Sequence, residues 1–253
     1  MSFDVMAAAV MLDRAACEAK AVPQFGQALD LDTAYRVQKA LMARRLARGE
    51  RRVGMKLGFT SKAKMAQMGV EDLIWGTLTD AMLLADGGPV DLARFIHPRV
   101  EPEIAFLLGR PLAGLVSPVD ALAAVAAVAP ALEIIDSRYA DFRFSLSDVV
   151  ADNSSSAALV IGAWRHDFGP LNHMPMRLLF DGEVVQAGSS EAILGDPLEA
   201  LVAAARLAAA DGRKLEAGEI VLAGAATAAE ALRPGVKVRV EADGLGAAGF
   251  VVG

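Results

Sequence analysis

Three carboxylates and one lysine stand out by type and spacing. In Arg99-Val-Glu101-Pro-Glu103-Ile-Ala-Phe-Leu-Leu108, the two acids are two residues apart, a period that puts both on one face of a strand. The apolar run after them draws at least Glu103 toward a core. Glu133 is a lone acid inside Pro130-Ala-Leu-Glu133-Ile-Ile, and Glu is almost never fully buried without a partner. Buried carboxylates that repel one another rise in pKa unless a cation compensates, and such oxygen sets commonly hold Mg²⁺ or Mn²⁺. Two readings follow from the pattern: a divalent-metal site or ordinary salt bridges. Lys56, in Gly54-Met-Lys56-Leu-Gly58, is flanked by glycines and apolar residues. Burial there would lower its pKa and suit it to proton transfer or anion binding, whereas a snorkelling lysine would do neither. The polar cluster Ala151-Asp152-Asn153-Ser154-Ser155-Ser156 enters an apolar strand. It is either a turn and cap or a set of hydrogen-bond donors lining a pocket.

Other features carry no chemistry. Gly244-Leu-Gly246-Ala-Ala-Gly249 matches a dinucleotide fingerprint in its letters, but only four residues follow, so no helix can receive a pyrophosphate. The arginines at 44, 45, 48, 51 and 52 end a helix, where cations complement the dipole and are solvated. His97, His166 and His173 are not at metal-ligand spacing. Cys17, the single cysteine, reads as a small buried filler; it cannot form an internal disulfide, which fits a reducing, cytoplasmic location.

The elements that must position these residues fall into two parts. Residues 1–52 read as an N-terminal helical segment belonging to the same unit, with helices at Asp4–Lys20 and Asp32–Arg48. Residues 53–253 carry short strand-like runs between Gly and Pro punctuation, with hairpin dipeptides at Asp181-Gly182 and Asp243-Gly244. Further helices are expected at Ser117–Val128 and Asp196–Ala210. Many strands, few helices and hairpin joints predict an α+β fold, a mixed β-roll or sandwich. The 253 residues are 54% hydrophobic with a formal charge of −6. That excludes a disordered chain and argues against nucleic-acid binding, which needs a basic surface. The longest apolar stretch, Ala121 to Leu132, is too short to cross a bilayer.

Taken in order, Gly54-Met-Lys-Leu-Gly58 with Thr60-Ser61, Leu78-Thr-Asp80-Ala-Met82, Arg99-Val-Glu101-Pro-Glu103, Ala131-Leu-Glu133, Asp136-Ser-Arg138 and Val150-Ala-Asp-Asn153 resemble the fumarylacetoacetate hydrolase superfamily. More narrowly they resemble its hydratase/decarboxylase branch, and Ile135-Asp-Ser-Arg-Tyr139-Ala-Asp-Phe142-Arg-Phe144 looks more like the decarboxylases. The resemblance implies Mg²⁺ or Mn²⁺ held by Glu101, Glu103 and Glu133, with Lys56 and Asp80 as catalytic residues flanking the substrate and Ser155 as a contact. The implied activity is decarboxylation of 2-oxo-3-hexenedioate to 2-hydroxypenta-2,4-dienoate in meta-cleavage catabolism of aromatics. Hydration of 2-oxopent-4-enoate, or a non-catalytic partner subunit, are the alternatives. A dianionic substrate also needs cations at its far end, and Arg138, Arg143 and Lys62 are candidates by type. Association into a homo-oligomer and with a homologous hydratase is implied as well. Ala223-Gly-Ala-Ala-Thr227 and Gly188-Ser-Ser-Glu191 depart from the family pattern.

Overall fold

The computed structural model describes residues 3–26, 29–61 and 72–253. Two helices open it, α1 (Val5–Glu18) and α2 (Leu31–Ala47), each started by an aspartate whose carboxylate accepts a backbone N–H: Asp4 from Ala7 at 2.9 Å and Asp30 from Thr33 at 2.7 Å. Strands β1 (Arg52–Gly58), β2 (Ile74–Thr79), β3 (Leu83–Leu84) and β4 (Pro89–Val90) follow. Next come β5 (Arg99–Leu108), the short helix α3 (Pro118–Ala124), β6 (Val125–Ile135), α4 (Leu146–Ala151) and β7 (Ser156–Ile161). The hairpin β8 (Pro175–Phe180) and β9 (Glu183–Ser189) leads to α5 (Pro197–Ala210). The chain closes with β10 (Ile220–Ala225), β11 (Glu230–Ala231), β12 (Lys237–Ala242) and β13 (Gly246–Val252).

These strands form two mixed sheets. The larger runs β2-β1-β10-β5-β6-β7-β3 with β11 on β5, and the smaller runs β4-β13-β12-β8-β9. Both expected hairpins are present, β8 with β9 and β12 with β13. The Gly-rich terminal motif is the second of these, not a nucleotide site. One face of the large sheet carries Met55, Ile104, Phe106, Val128 and Leu132 into the main core, against Leu178, Val240 and Phe250 of the small sheet and Leu201 of α5. Each such side chain, fully buried, contributes about 1.5–3 kcal/mol. The opposite face buries Leu78, Met82, Ala105, Ala131, Leu159 and Leu222 together. A third cluster joins Leu12 of α1 and Val37 and Leu41 of α2 to Ile74, Tyr139 and Val149, so the N-terminal helices pack on the strand-rich portion.

Three local expectations are corrected. The helix expected over Ser117–Val128 ends at Ala124, and Val125 begins an eleven-residue strand. Pairing along the whole of β5 outweighs the helical preference of alanine there. Cys17 is exposed rather than a buried filler. The arginines in and after the last turn of α2 are not simply solvated: Arg44 and Arg48 bind Asp13, Arg45 binds Glu50, and Arg52 binds Glu219 at 2.7 Å.

Candidate active site

Strands β5 and β6 pair with unbroken register from Arg99 opposite Ile135 to Leu107 opposite Ala127, which sets Glu101 directly across from Glu133. Side chains directly opposite share a face, so Glu101, Glu103 and Glu133 meet. They offer oxygens that all lie within 4.8 Å of one another. Glu103 and Glu133 are fully buried and Glu101 nearly so. From β1, the Lys56 ammonium reaches Glu133 Oε2 at 2.9 Å, and Ser156 Oγ donates to Glu133 Oε1 at 2.8 Å. The Gly224 N–H donates to Glu103 Oε2 at 2.8 Å, whereas Glu103 Oε1 is buried without a partner among the described residues.

The charges act strongly on one another. Burial pushes the Glu103 carboxyl well above the usual carboxylate range, and the Glu133 charge beside it pushes further. Glu133 is raised too, by burial, in spite of Lys56. Lys56 departs from expectation: burial alone would lower it, but the carboxylates of Glu133, Glu103 and Glu101 outweigh burial and hold it above its ordinary value. Among the described residues, these three buried carboxylates gather around one ammonium, that of Lys56. An all-oxygen donor set with one orphaned buried oxygen fits a hard divalent cation.

A cavity of about 80 Å³ opens onto this cluster, lined among others by Lys56, Thr60, Glu101, Phe142, Phe144 and Ser155. Ser155 arrives by an unusual route. Asn153, Ser154 and Ser155 have φ of 50°, 52° and 59°, three successive left-handed residues, each a conformation that costs a non-glycine about 1–3 kcal/mol. The surroundings enforce it. Asn153 exchanges two bonds with Thr77, accepting from its N–H at 2.8 Å and donating to its carbonyl at 3.0 Å, and Ser154 Oγ donates to the Trp75 carbonyl at 2.7 Å. Gln38 of α2 bridges the carbonyls of Trp75 and Val150. The result is a buried Ser155 Oγ with no hydrogen-bond partner among the described residues, at the cavity wall.

Not every expected residue joins the cluster. Asp80 accepts from the Arg51 backbone N–H and from its guanidinium, both at 2.9 Å, and those bonds hold its carboxyl below the usual range. It stands beyond the end of β2, four positions from Gly76, the residue opposite Lys56, about 13 Å along the strand. Arg138 is buried against Asp152, its N–H donating to that carboxylate at 2.9 Å and its guanidinium pairing with it. Burial still pushes Asp152 up to about 6. Arg138 lines a separate cavity beside α1 and α2, so it braces the 153–155 turn and does not face the carboxylates. Arg143 is exposed, and Lys62 lies outside the described residues. Phe142 and Phe144 went unassigned as wall residues, although both belong to the Ile135–Phe144 run that carried the resemblance. The two departing segments, 188–191 and 223–227, lie together, a Cβ on Gly188 meeting the Ala226 carbonyl at 2.6 Å.

The mixed sheet with its buried acidic cluster falls within residues 53–252, which match the fumarylacetoacetate hydrolase C-terminal family. The chain belongs to that family. Within it, the chain is 58% identical to 4-oxalocrotonate decarboxylase of a Pseudomonas species, over 94% of each chain. It is 37% identical to 2-keto-4-pentenoate hydratase 1 of Dechloromonas aromatica, over 95% of this chain and 94% of that one. Among solved structures, 4-oxalocrotonate decarboxylase from Pseudomonas putida G7, complexed with magnesium and adipate, superposes with a TM-score of 0.94 at 37% identity. It covers 98% of this chain and 97% of that one.

Proposed function

We propose that the protein is a carboxy-lyase that decarboxylates 2-oxo-3-hexenedioate (4-oxalocrotonate) to 2-hydroxypenta-2,4-dienoate in the meta-cleavage catabolism of aromatics. The observation that carries this reading is near-full-length identity to a decarboxylase at 58%, on a chain whose buried carboxylates converge as such chemistry requires. Glu101, Glu103 and Glu133 would hold Mg²⁺ or Mn²⁺. Bound there, the ion supplies Lewis-acid stabilisation for negative charge developing on a 2-oxo acid.

The chain's own groups do the rest. The bond from C5 to the C6 carboxylate breaks, CO₂ leaves, and its electron pair passes through the C3–C4 double bond to the C2 oxygen, which then takes a proton. Lys56, kept charged by its carboxylate neighbours, presents an ammonium at the cavity floor where that charge grows. Ser155 Oγ, with no hydrogen-bond partner among the described residues, donates to the substrate carboxylate or carbonyl. The apolar walls of Phe142 and Phe144 exclude water from the dienolate. Lys62, two residues after Thr60, is a second cation for the substrate. We assign Asp80 an indirect part, through Arg51 and the start of β1.

The hydratase relative keeps water addition to 2-oxopent-4-enoate as the second reading, since the same stabilised dienolate serves both. We also propose a homo-oligomer, a complex with a homologous hydratase, and a cytoplasmic site of action suited to a chain with one cysteine. No helix among the described residues is long and apolar enough to cross a membrane. Both substrates supplied with Mg²⁺ test the proposal. CO₂ release from the enedioate without hydration of the dienoate is expected, and the reverse result overturns it.

A further inference from the structure

A six-carbon dicarboxylate leaves one charged end to be recognised after the other has met the buried carboxylates. We infer that Arg99 is the residue that binds the distal carboxylate and so selects a dicarboxylate; this rests on the decarboxylase reading above. Three placements on the structure converge on it. First, the unbroken β5–β6 register puts Arg99, Glu101 and Glu103 on one face of β5, with Arg99 outermost. Second, Arg99 is directly opposite Ile135, which lines the cavity. Third, its guanidinium lies over the ring of Phe142, 4.5 Å from the centroid, and Phe142 is a wall of the same cavity.

Length agrees. Two strand residues advance about 6.6 Å from Glu101 to Arg99, and five C–C bonds of about 1.5 Å, projected along an extended chain, span about 6 Å. A substrate anchored by its 2-oxo acid end at the glutamates therefore ends beside position 99. Arg99 is half-buried and has no carboxylate partner among the described residues, only the aromatic face. The other arginines considered for this task are committed or remote, Arg138 to Asp152 and Arg143 at the surface.

The position also has a kinetic signature. The distal carboxylate is the group that leaves, so a cation on it stabilises the bound ground state and loses its partner as neutral CO₂ forms. Such a contact contributes to substrate binding and selectivity and adds nothing to the chemical step. Loss of Arg99 therefore raises KM without lowering kcat.

The test uses the magnesium-loaded full chain, with calorimetric binding of adipate and of 2-oxopentanoate, which lacks the distal carboxylate, alongside turnover of the enedioate. Arg99→Gln is expected to weaken adipate binding and raise KM roughly 10- to 100-fold, the value of a charge-assisted hydrogen bond. Binding of 2-oxopentanoate should stay within about threefold, kcat should not fall, and Arg99→Lys should recover part of the loss. The inference is overturned if both ligands weaken together, if neither changes, or if Lys62→Gln rather than Arg99→Gln abolishes the preference for adipate. Should the wild-type chain fail to release CO₂, the decarboxylase reading fails, while the adipate comparison still decides the role of Arg99.

Discussion

Replacing Gly224 with alanine strikes fold and site together. Gly224 has a φ of +108°, and its N–H donates to Glu103 Oε2 at 2.8 Å. A Cβ there would stand 2.2 Å from Thr60 Oγ1 and 2.4 Å from Thr60 Cγ2. The positive φ costs a non-glycine about 1–3 kcal/mol and the collision about 1–3 kcal/mol more, together about 2–6 kcal/mol. Against a typical stability of about 5–15 kcal/mol, a folded but weakened protein is expected. Relaxation that turns the peptide away removes a hydrogen bond to a charged carboxylate, about 1.5–3 kcal/mol, and lets Glu103 drift. Magnesium affinity should therefore fall roughly tenfold or more. Urea unfolding with and without Mg²⁺, together with calorimetric titration of the metal, measures both effects. Thr60→Ala removes the two closest atoms, so the double variant should recover about 1 kcal/mol or more of stability relative to Gly224→Ala alone. A Gly224→Ala protein as stable and as tight for Mg²⁺ as wild type, or a double variant with no recovery, refutes the reasoning.

Other perturbations separate the charges. The raised Glu103 carboxyl favours the metal-free fold most below the ordinary carboxylate pKa, and this stabilisation is lost as pH rises through the raised value. The gain in Tm from adding Mg²⁺ over a chelator should consequently grow between about pH 5 and 8; a gain that is constant or shrinks contradicts the assignment. Lys56→Met removes the cation that competes for Glu133, so Mg²⁺ should bind as tightly or more tightly while kcat falls about 100-fold or more. Parallel loss of metal binding would speak against a separate role for Lys56. Arg138→Met strands Asp152 in the interior and should cost about 3 kcal/mol in urea unfolding. Asn153→Ala breaks both bonds to Thr77 and frees the left-handed turn, which should lower kcat/KM about tenfold with Mg²⁺ affinity unchanged.

The acidic cluster was legible because strand geometry has a period of two: Glu101 and Glu103 share a face whatever the sheet around them, and a lone Glu133 in an apolar run needs a partner. Their meeting also needed the β5–β6 register, a long-range property that spacing alone does not encode. The direction of the Lys56 pKa failed for the same reason. Burial is visible in a local apolar context, but the three carboxylates that reverse its effect come from two other strands. Arg138 looked like a free cation until folding set Asp152, fourteen positions on, beside it. Nothing in Asn-Ser-Ser announces three left-handed residues in a row, since the bonds that force them run to Thr77 and Trp75.

One face of the large sheet thus serves two incompatible purposes along its length. At one end Ala105, Ala131, Leu159 and Leu222 pack into an apolar plug; a few residues along the same strands, Glu101, Glu103, Glu133 and Lys56 face the same way. The plug denies water to the charges from one side and Phe142 and Phe144 line the other, so the electrostatic interactions of the cluster act in a medium of low polarity. Concentrating negative charge there disfavours the metal-free state, and the same concentration gives a divalent ion its affinity. Arg99, at the outer end of that face, adds the opposite sign where a dianion's second charge would arrive. The alternation of acid, acid and arginine along β5 is then an electrostatic ruler. It would hold a 2-oxo acid at one end and a leaving carboxylate at the other, in a chain whose net charge is −6.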